Sequence, residues 1–176
     1  MDYTTAIEKS KGYLMKHKKY VSLAYDILIA PLSKEFNLSS EQINQISQNI
    51  DFHDMSKLEP ENAIVYARYF WEEPTPEIKK QMKQVTLTHK LTNPHHPEFW
   101  LNENGEMQDM PVVYIIEMMC DWWSFGLSQN NPERIFNFYK DNKDKFNFSK
   151  NTTKKLEQIL AIIKSEIEKP NFMQNE

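Results

Sequence analysis

Three glycines, Gly12, Gly105 and Gly126, serve the whole 176-residue chain, and strict alternation of apolar with polar residues is scarce. A sheet-based fold needs both that alternation and tight hairpin turns, so the pattern points to an all-α chain. Apolar residues do recur at helical spacing. Leu14, Val21, Ala24 and Leu28 predict a first helix over about 4–30, ended by Pro31. Ser39-Ser40-Glu41-Gln42 resembles a capping box, opening a second helix from 40 to near 54. A third is expected over about 60–69. A fourth, over about 76–91, places Ile78, Met82, Val85 and His89 on one face. TNPHHPEFW, residues 92–100, is bounded by prolines and reads as a rigid connection, followed by a loop at Asn104-Gly105. Pro111 suits the first turn of a helix reaching about 125, and two more helices are expected near 132–144 and 152–168. The last carries Leu156, Ile159, Leu160, Ile163 and Ile167 as its apolar stripe. The expectation is one bundle of about six to seven helices over 1–170, with a C-terminal tail at 171–176.

A chain of this length buries roughly 70% of its unfolded surface without disulfides, and the lone Cys120 cannot form an internal one. Neither a secretory segment nor an apolar run of membrane-spanning length is visible, so the reducing cytoplasm is the expected compartment. Net charge is -4, and lysines are interspersed with glutamates, which gives no footprint for a long nucleic acid. A small nucleic-acid ligand remains compatible.

The chemistry concentrates in the histidines. Of five in the chain, His17 and His89 fall on apolar helix faces, and His53 is followed directly by Asp54 within HDMSK, residues 53–57. His95 and His96 are adjacent in the proline-bounded connection. Asp121 lies within VVYIIEMMCDWW, the most apolar helix expected, where an unpaired charge would be costly and a cation is the economical partner. Imidazole and carboxylate together suit Mn, Fe, Ni, Co or Zn, as one or two ions. The candidate ligands are therefore His17, His53, Asp54, His89, His95, His96 and Asp121. In an extended loop the His95 and His96 side chains would point different ways, leaving one to ligate and the other to orient substrate or support the loop.

Other residues carry two readings each. Glu117, one turn before Asp121, shares its face and serves as an acceptor behind a ligand histidine, a general base or a structural carboxylate. Asn93 caps the fourth helix or contacts substrate. Phe99, Trp100, Trp122 and Trp123 read as core aromatics, with stacking on a nucleobase as the alternative. Cys120 points about 100° away from Asp121 around the helix and reads as packing.

The order His, His-Asp, His, His, Asp resembles the HD superfamily of helical metal-dependent phosphohydrolases, and HDMSK is similar to the HDxGK form of many members. Closer still is the similarity to an uncharacterised family of bacterial and phage proteins, carried by HKKYV at 17–21, HDMSK at 53–57, TNPHHPEFW at 92–100 and EMMCDWW at 117–123. The resemblance implies an HD-like helical bundle and hydrolysis of a nucleotide or other small phosphate ester. Asp54 or Glu117 would orient the attacking water; Lys57, with the second histidine of the pair, would contact phosphate. Two departures stand out: His89 lies only a few residues from His95 and His96, and Ser56 occupies the position where glycine is usual. The same ligand order also resembles the di-iron oxygenases of the myo-inositol oxygenase type. A third expectation is non-catalytic, a helical module that binds a nucleotide or a partner.

Overall fold

The computed structural model describes residues 2–170 and 172. Seven helices follow in order: α1 (Tyr3–Glu35), α2 (Ser40–Phe52), α3 (Pro60–Trp71), α4 (Pro76–Thr92), α5 (Val112–Ser128), α6 (Arg134–Phe146) and α7 (Lys150–Ile167). Two 3-10 turns, Met55–Leu58 and Pro97–Trp100, lie between them. Among the described residues the one β pairing is an isolated bridge between Leu101 and Met107, so the fold is all-α, as expected. Apart from Phe172, the tail expected at 171–176 lies outside the described residues.

Local signals account for most helix starts. Ser39 accepts from the Gln42 backbone N–H at 3.2 Å while the Gln42 side chain accepts from the Ser39 N–H at 3.0 Å, completing the capping box. Thr75 and Ser149 cap α4 and α7 in the same sense. The first helix departs from expectation, because Pro31 lies inside α1, which continues to Glu35. Proline removes one intrahelical hydrogen bond, but Leu28 and Leu32 on either side are fully buried, and tertiary packing outweighs the local break. At its other end, α2 stops at Phe52 and leaves the His-Asp pair outside the helix.

α5 is the central element. It packs against α1, α2, α6 and α7, and α1 also lies along α3. Val113, Ile115, Ile116, Met119, Cys120 and Trp123 are all buried, so α5 is covered on most sides, consistent with its near-continuous apolar sequence. Opposing it are Val21, Ala24, Leu28 and Leu32 of α1, Ile46 and Ile50 of α2, and Leu156, Ile159 and Ile163 of α7. Each fully buried aliphatic side chain contributes about 1.5–3 kcal/mol. α4 sits at the periphery: of its residues only His89 is buried, and Ile78, Met82 and Val85 are half-covered. No helix among the described residues is long and apolar enough to cross a membrane.

Candidate metal centre

All five histidines of the chain meet where α1, α5 and the ends of α2 and α4 converge. His53 is the C-cap of α2, and Asp54 takes a left-handed conformation with φ 61°. The other non-glycine residues described with positive φ are asparagines, Asn37, Asn130 and Asn147. Asp tolerates this region at modest cost. The twist starts the Met55–Leu58 turn and leaves Asp54 buried at 4% exposure. Asn93 is the C-cap of α4, its amide donating to the His89 carbonyl at 2.7 Å.

Asp54 stands at the centre. Its Oδ1 is 2.9 Å from His89 Nε2 and 3.7 Å from His95 Nε2. Its Oδ2 is 3.5 Å from His53 Nε2, 3.8 Å from His17 Nε2 and 2.6 Å from Lys57 Nζ. Asp121 Oδ1 is 3.0 Å from His17 Nε2 and 3.6 Å from His53 Nε2. Donor atoms of Asp54, His89, His95 and His96 lie within 4.8 Å of one another, as do those of His17, His53 and Asp54, and those of His53, His95 and Asp121. His95 and His96 face the cluster together, contrary to the expectation for an extended loop. The chain turns there, with the His96 N–H bonded to the Asn93 carbonyl at 3.0 Å, so neighbouring side chains do not alternate.

The opposite ring nitrogens are held from behind. His53 Nδ1 donates to Glu117 Oε1 at 3.1 Å, and His95 Nδ1 is 3.1 Å from the same oxygen. Ser124 Oγ donates to the Asp121 carbonyl at 2.6 Å, which leaves it to accept from His17 Nδ1 at 3.3 Å. His89 Nδ1 has Ser56 Oγ and the Asn93 amide each at 3.1 Å. On the inner side, Nε2 of His53, His89, His95 and His96 and Oδ1 of Asp54 are buried without a hydrogen bond. The 2.9 Å approach of His89 to Asp54 is therefore a close contact without hydrogen-bond alignment. Buried polar atoms are ordinarily satisfied. Here unpartnered imidazole nitrogens and a carboxylate converge, a donor set that could hold a metal ion.

Electrostatics divide the cluster. Burial opposes charge on His53, but the carboxylates of Asp121, Glu117 and Asp54 outweigh it and raise the imidazole to about 10. Burial would raise the Asp54 carboxyl too; contact with His89 and the charges of His53 and Lys57 instead hold it well below the usual range. Asp121, against the same burial, is held low by His17 and His53. On the other side burial lowers His89, and burial with the neighbouring His95 and His89 takes His96 down to about 3. His89 and His96 thus present neutral nitrogens at neutral pH.

A cavity of about 250 Å³ opens over the cluster, with His17, Asp54, Lys57, His96 and Asp121 at its polar end and Tyr13, Tyr66, Phe70, Trp71 and Phe125 along its walls. Lys57 is thus at hand for a ligand, whereas Asn93 and Glu117 are not among the lining residues. The aromatics considered for stacking lie elsewhere: Trp123 is fully buried, Trp122 packs on Phe146, and Trp100 donates to the Pro94 carbonyl. The wall residues, with Ser124 behind His17, carry no motif. Helical spacing is the signal that points to three of them: Tyr13 lies four residues before His17, and Ser124 and Phe125 lie three and four after Asp121.

The chain belongs to the family of unknown function DUF5662, whose model matches residues 6–162. No curated protein and no solved structure matches it.

Proposed function

We propose that this member of DUF5662 is a metal-dependent phosphohydrolase of the HD type acting on a small phosphate ester. One observation carries the reading: Asp54 sets Oδ1 near His89 and His95 and Oδ2 near His53 and His17, so these residues would hold one or two cations. His17, His53 and Asp121 would complete one position and His89, His95 and His96 the other. A divalent transition metal bound there supplies Lewis acidity, bringing the pKa of water toward ~7 and offsetting phosphoryl charge.

The protein's own groups divide the remaining work. Lys57, tied to Asp54 and lining the cavity, retains ammonium protons to donate to a phosphoryl oxygen. Asp121 faces the cavity and orients water, while Glu117, behind His53 and His95, fixes their rings rather than meeting substrate. His96, neutral and at the cavity edge, can offer a single N–H to the departing oxygen, from the ring nitrogen that would not face a metal. Water oxygen forms the new bond to phosphorus, the ester P–O bond breaks, and the proton that the water gives up goes to the departing oxygen, which leaves as an alcohol. Ser56, at the usual glycine position of the HD motif, is used here to hold His89.

Elemental analysis of untagged protein, beside His53→Ala and Asp54→Ala variants, tests the centre. One or two equivalents of Mn, Fe, Ni, Co or Zn, lost in both variants, and hydrolysis of an aryl phosphate dependent on that metal are expected. A parent that retains no metal after reconstitution removes the reading and favours the binding module; two irons with oxygen consumption and no phosphate release favour the oxygenase.

A further inference from the structure

The cavity over the metal centre has a composition that selects its ligand. Tyr13 and Phe70 are each 52% exposed, and Trp71 and Phe125 are also exposed, although all four line one recess. Large aromatic faces left partly open beside a polar floor suit a ligand with a flat apolar body and a charged end. The rings form a set. Tyr13 stacks with Phe70 at 6.0 Å and meets Trp71 edge-on at 6.2 Å, Tyr66 stacks with Phe70 at 6.3 Å, and Phe125 leans on His17 at 5.1 Å.

Charge and size narrow the ligand further. Lys57 is the one cationic lysine or arginine among the lining residues, against the carboxylates of Asp54 and Asp121. The lining residues themselves hold no surplus of positive charge for a polyphosphate tail, and a lysine outside them, Lys9, sits over the Trp71 ring at 5.8 Å. The volume, about 250 Å³, falls below the ~300–1,000 Å³ usual for small-molecule pockets. The hydroxyl of Ser10, in the same wall, donates its proton to the Ala63 carbonyl at 2.9 Å, which leaves it only an acceptor toward a ligand.

We infer that Tyr13, Phe70 and Trp71 form a ring-binding subsite, and that the preferred ligand is a monophosphate ester carrying a flat aromatic or heteroaromatic ring. The phosphate end rests on the phosphohydrolase reading; the ring end rests on the cavity walls alone. Stacking of one ring is worth roughly tenfold or more in affinity.

Calorimetric titration of the full chain, metal-free and Mn-loaded, with phenyl phosphate, adenosine 5′-monophosphate, ribose 5-phosphate, adenosine, adenosine triphosphate and inorganic phosphate tests this. The ring-bearing monophosphates should bind about tenfold more tightly than ribose 5-phosphate, with the triphosphate no tighter than the monophosphate. Tyr13→Ala and Phe70→Ala should close that gap while leaving inorganic phosphate affinity unchanged. Both positions are half-exposed, and unchanged thermal unfolding would verify their folding. Equal binding of ringed and ringless esters, or a gap that survives both variants, overturns the subsite. Adenosine binding that Phe70→Ala abolishes, without any phosphate binding, upholds the subsite and removes the phosphohydrolase reading; phosphate binding with no ring advantage does the reverse.

Discussion

His53 and His95 present their Nδ1 atoms to the same carboxylate oxygen, Glu117 Oε1, each at 3.1 Å. A carboxylate only accepts, so the hydrogen-bonded His53 Nδ1 carries the proton and the same oxygen favours the proton on His95 Nδ1, with both Nε2 atoms turned inward toward Asp54. The two histidines belong to different halves of the proposed centre, and one side chain of α5 sets the tautomer of both. Glu117→Gln keeps the size but removes the charge that orients two rings. Metal affinity, read by chelator competition, should fall about 10–100-fold for both ions, whereas Ser124→Ala should weaken only the position that includes His17. Unchanged affinity in Glu117→Gln would show that the rings are held by packing alone.

The raised His53 and depressed Asp54 and Asp121 give the metal-free chain a definite pH dependence. A histidine raised from 6.5 to about 10 contributes stability that is complete below 6.5 and fades as pH rises through the higher value. The two aspartates act in the opposite sense: their contribution is present above 3.8 and lost as pH falls below it. Bound metal replaces the histidine protons, so its affinity, and the stability it adds, should grow with pH. Thermal unfolding with and without Mn is the check. The metal-induced rise in Tm should be larger at about pH 9 than at about pH 6, while the Tm of chelator-treated protein should fall over the same interval. A metal-induced shift that is flat with pH would mean that His53 is not displaced from its proton.

The candidate ligands are legible in the sequence because each lies on an interpretable pattern. His17 and His89 follow helical apolar spacing, His53 and Asp54 are adjacent, and Asp121 is a charge within an apolar run. What holds them is less legible. Ser124 and Ser56 act through single hydroxyls whose partners lie 107 and 33 residues away, and no local pattern encodes that. The ring-lined cavity is hidden for a related reason: Tyr13 comes from α1, and Phe70 and Trp71 from the last turn of α3, one and two residues beyond the expected helix end. Pro31 misleads in the other direction, since its local preference is overridden by burial of Leu28 and Leu32.

Gly126 tests the packing of α5 independently of the chemistry. A Cβ there would stand 2.7 Å from the Asn131 carbonyl oxygen, a backbone atom that cannot swing aside as a side chain can. The same loop is fixed by the Asn131 N–H on the Gly126 carbonyl at 2.9 Å and by Trp123 Nε1 on the Pro132 carbonyl at 3.0 Å. In an open helix Gly→Ala would stabilise by up to about 1 kcal/mol. Here Gly126→Ala should destabilise by about 1–3 kcal/mol, the usual range for overpacking. For a chain of this size that lowers Tm by about 2–4 °C per kcal/mol. An unchanged or higher Tm would show that the loop yields freely.

Lys57 separates metal retention from catalysis. Its ammonium lies 2.6 Å from Asp54 Oδ2 and borders the cavity, yet none of the nitrogens that face the proposed ions belongs to it. Lys57→Met removes the donor, together with its place 5.9 Å over the Tyr66 ring, and preserves most of the aliphatic stem. If the lysine meets charge developing on a phosphoryl oxygen, kcat on an aryl phosphate should drop by about 10²–10³-fold, the usual effect of losing one stabilising donor. Metal content should stay at the parental stoichiometry, because the imidazoles and carboxylates are untouched. Loss of metal in this variant would instead make the lysine a support for Asp54. Full activity with full metal would place the phosphate on the other side of the cluster, toward His89 and Thr88, where a second recess also borders Lys57.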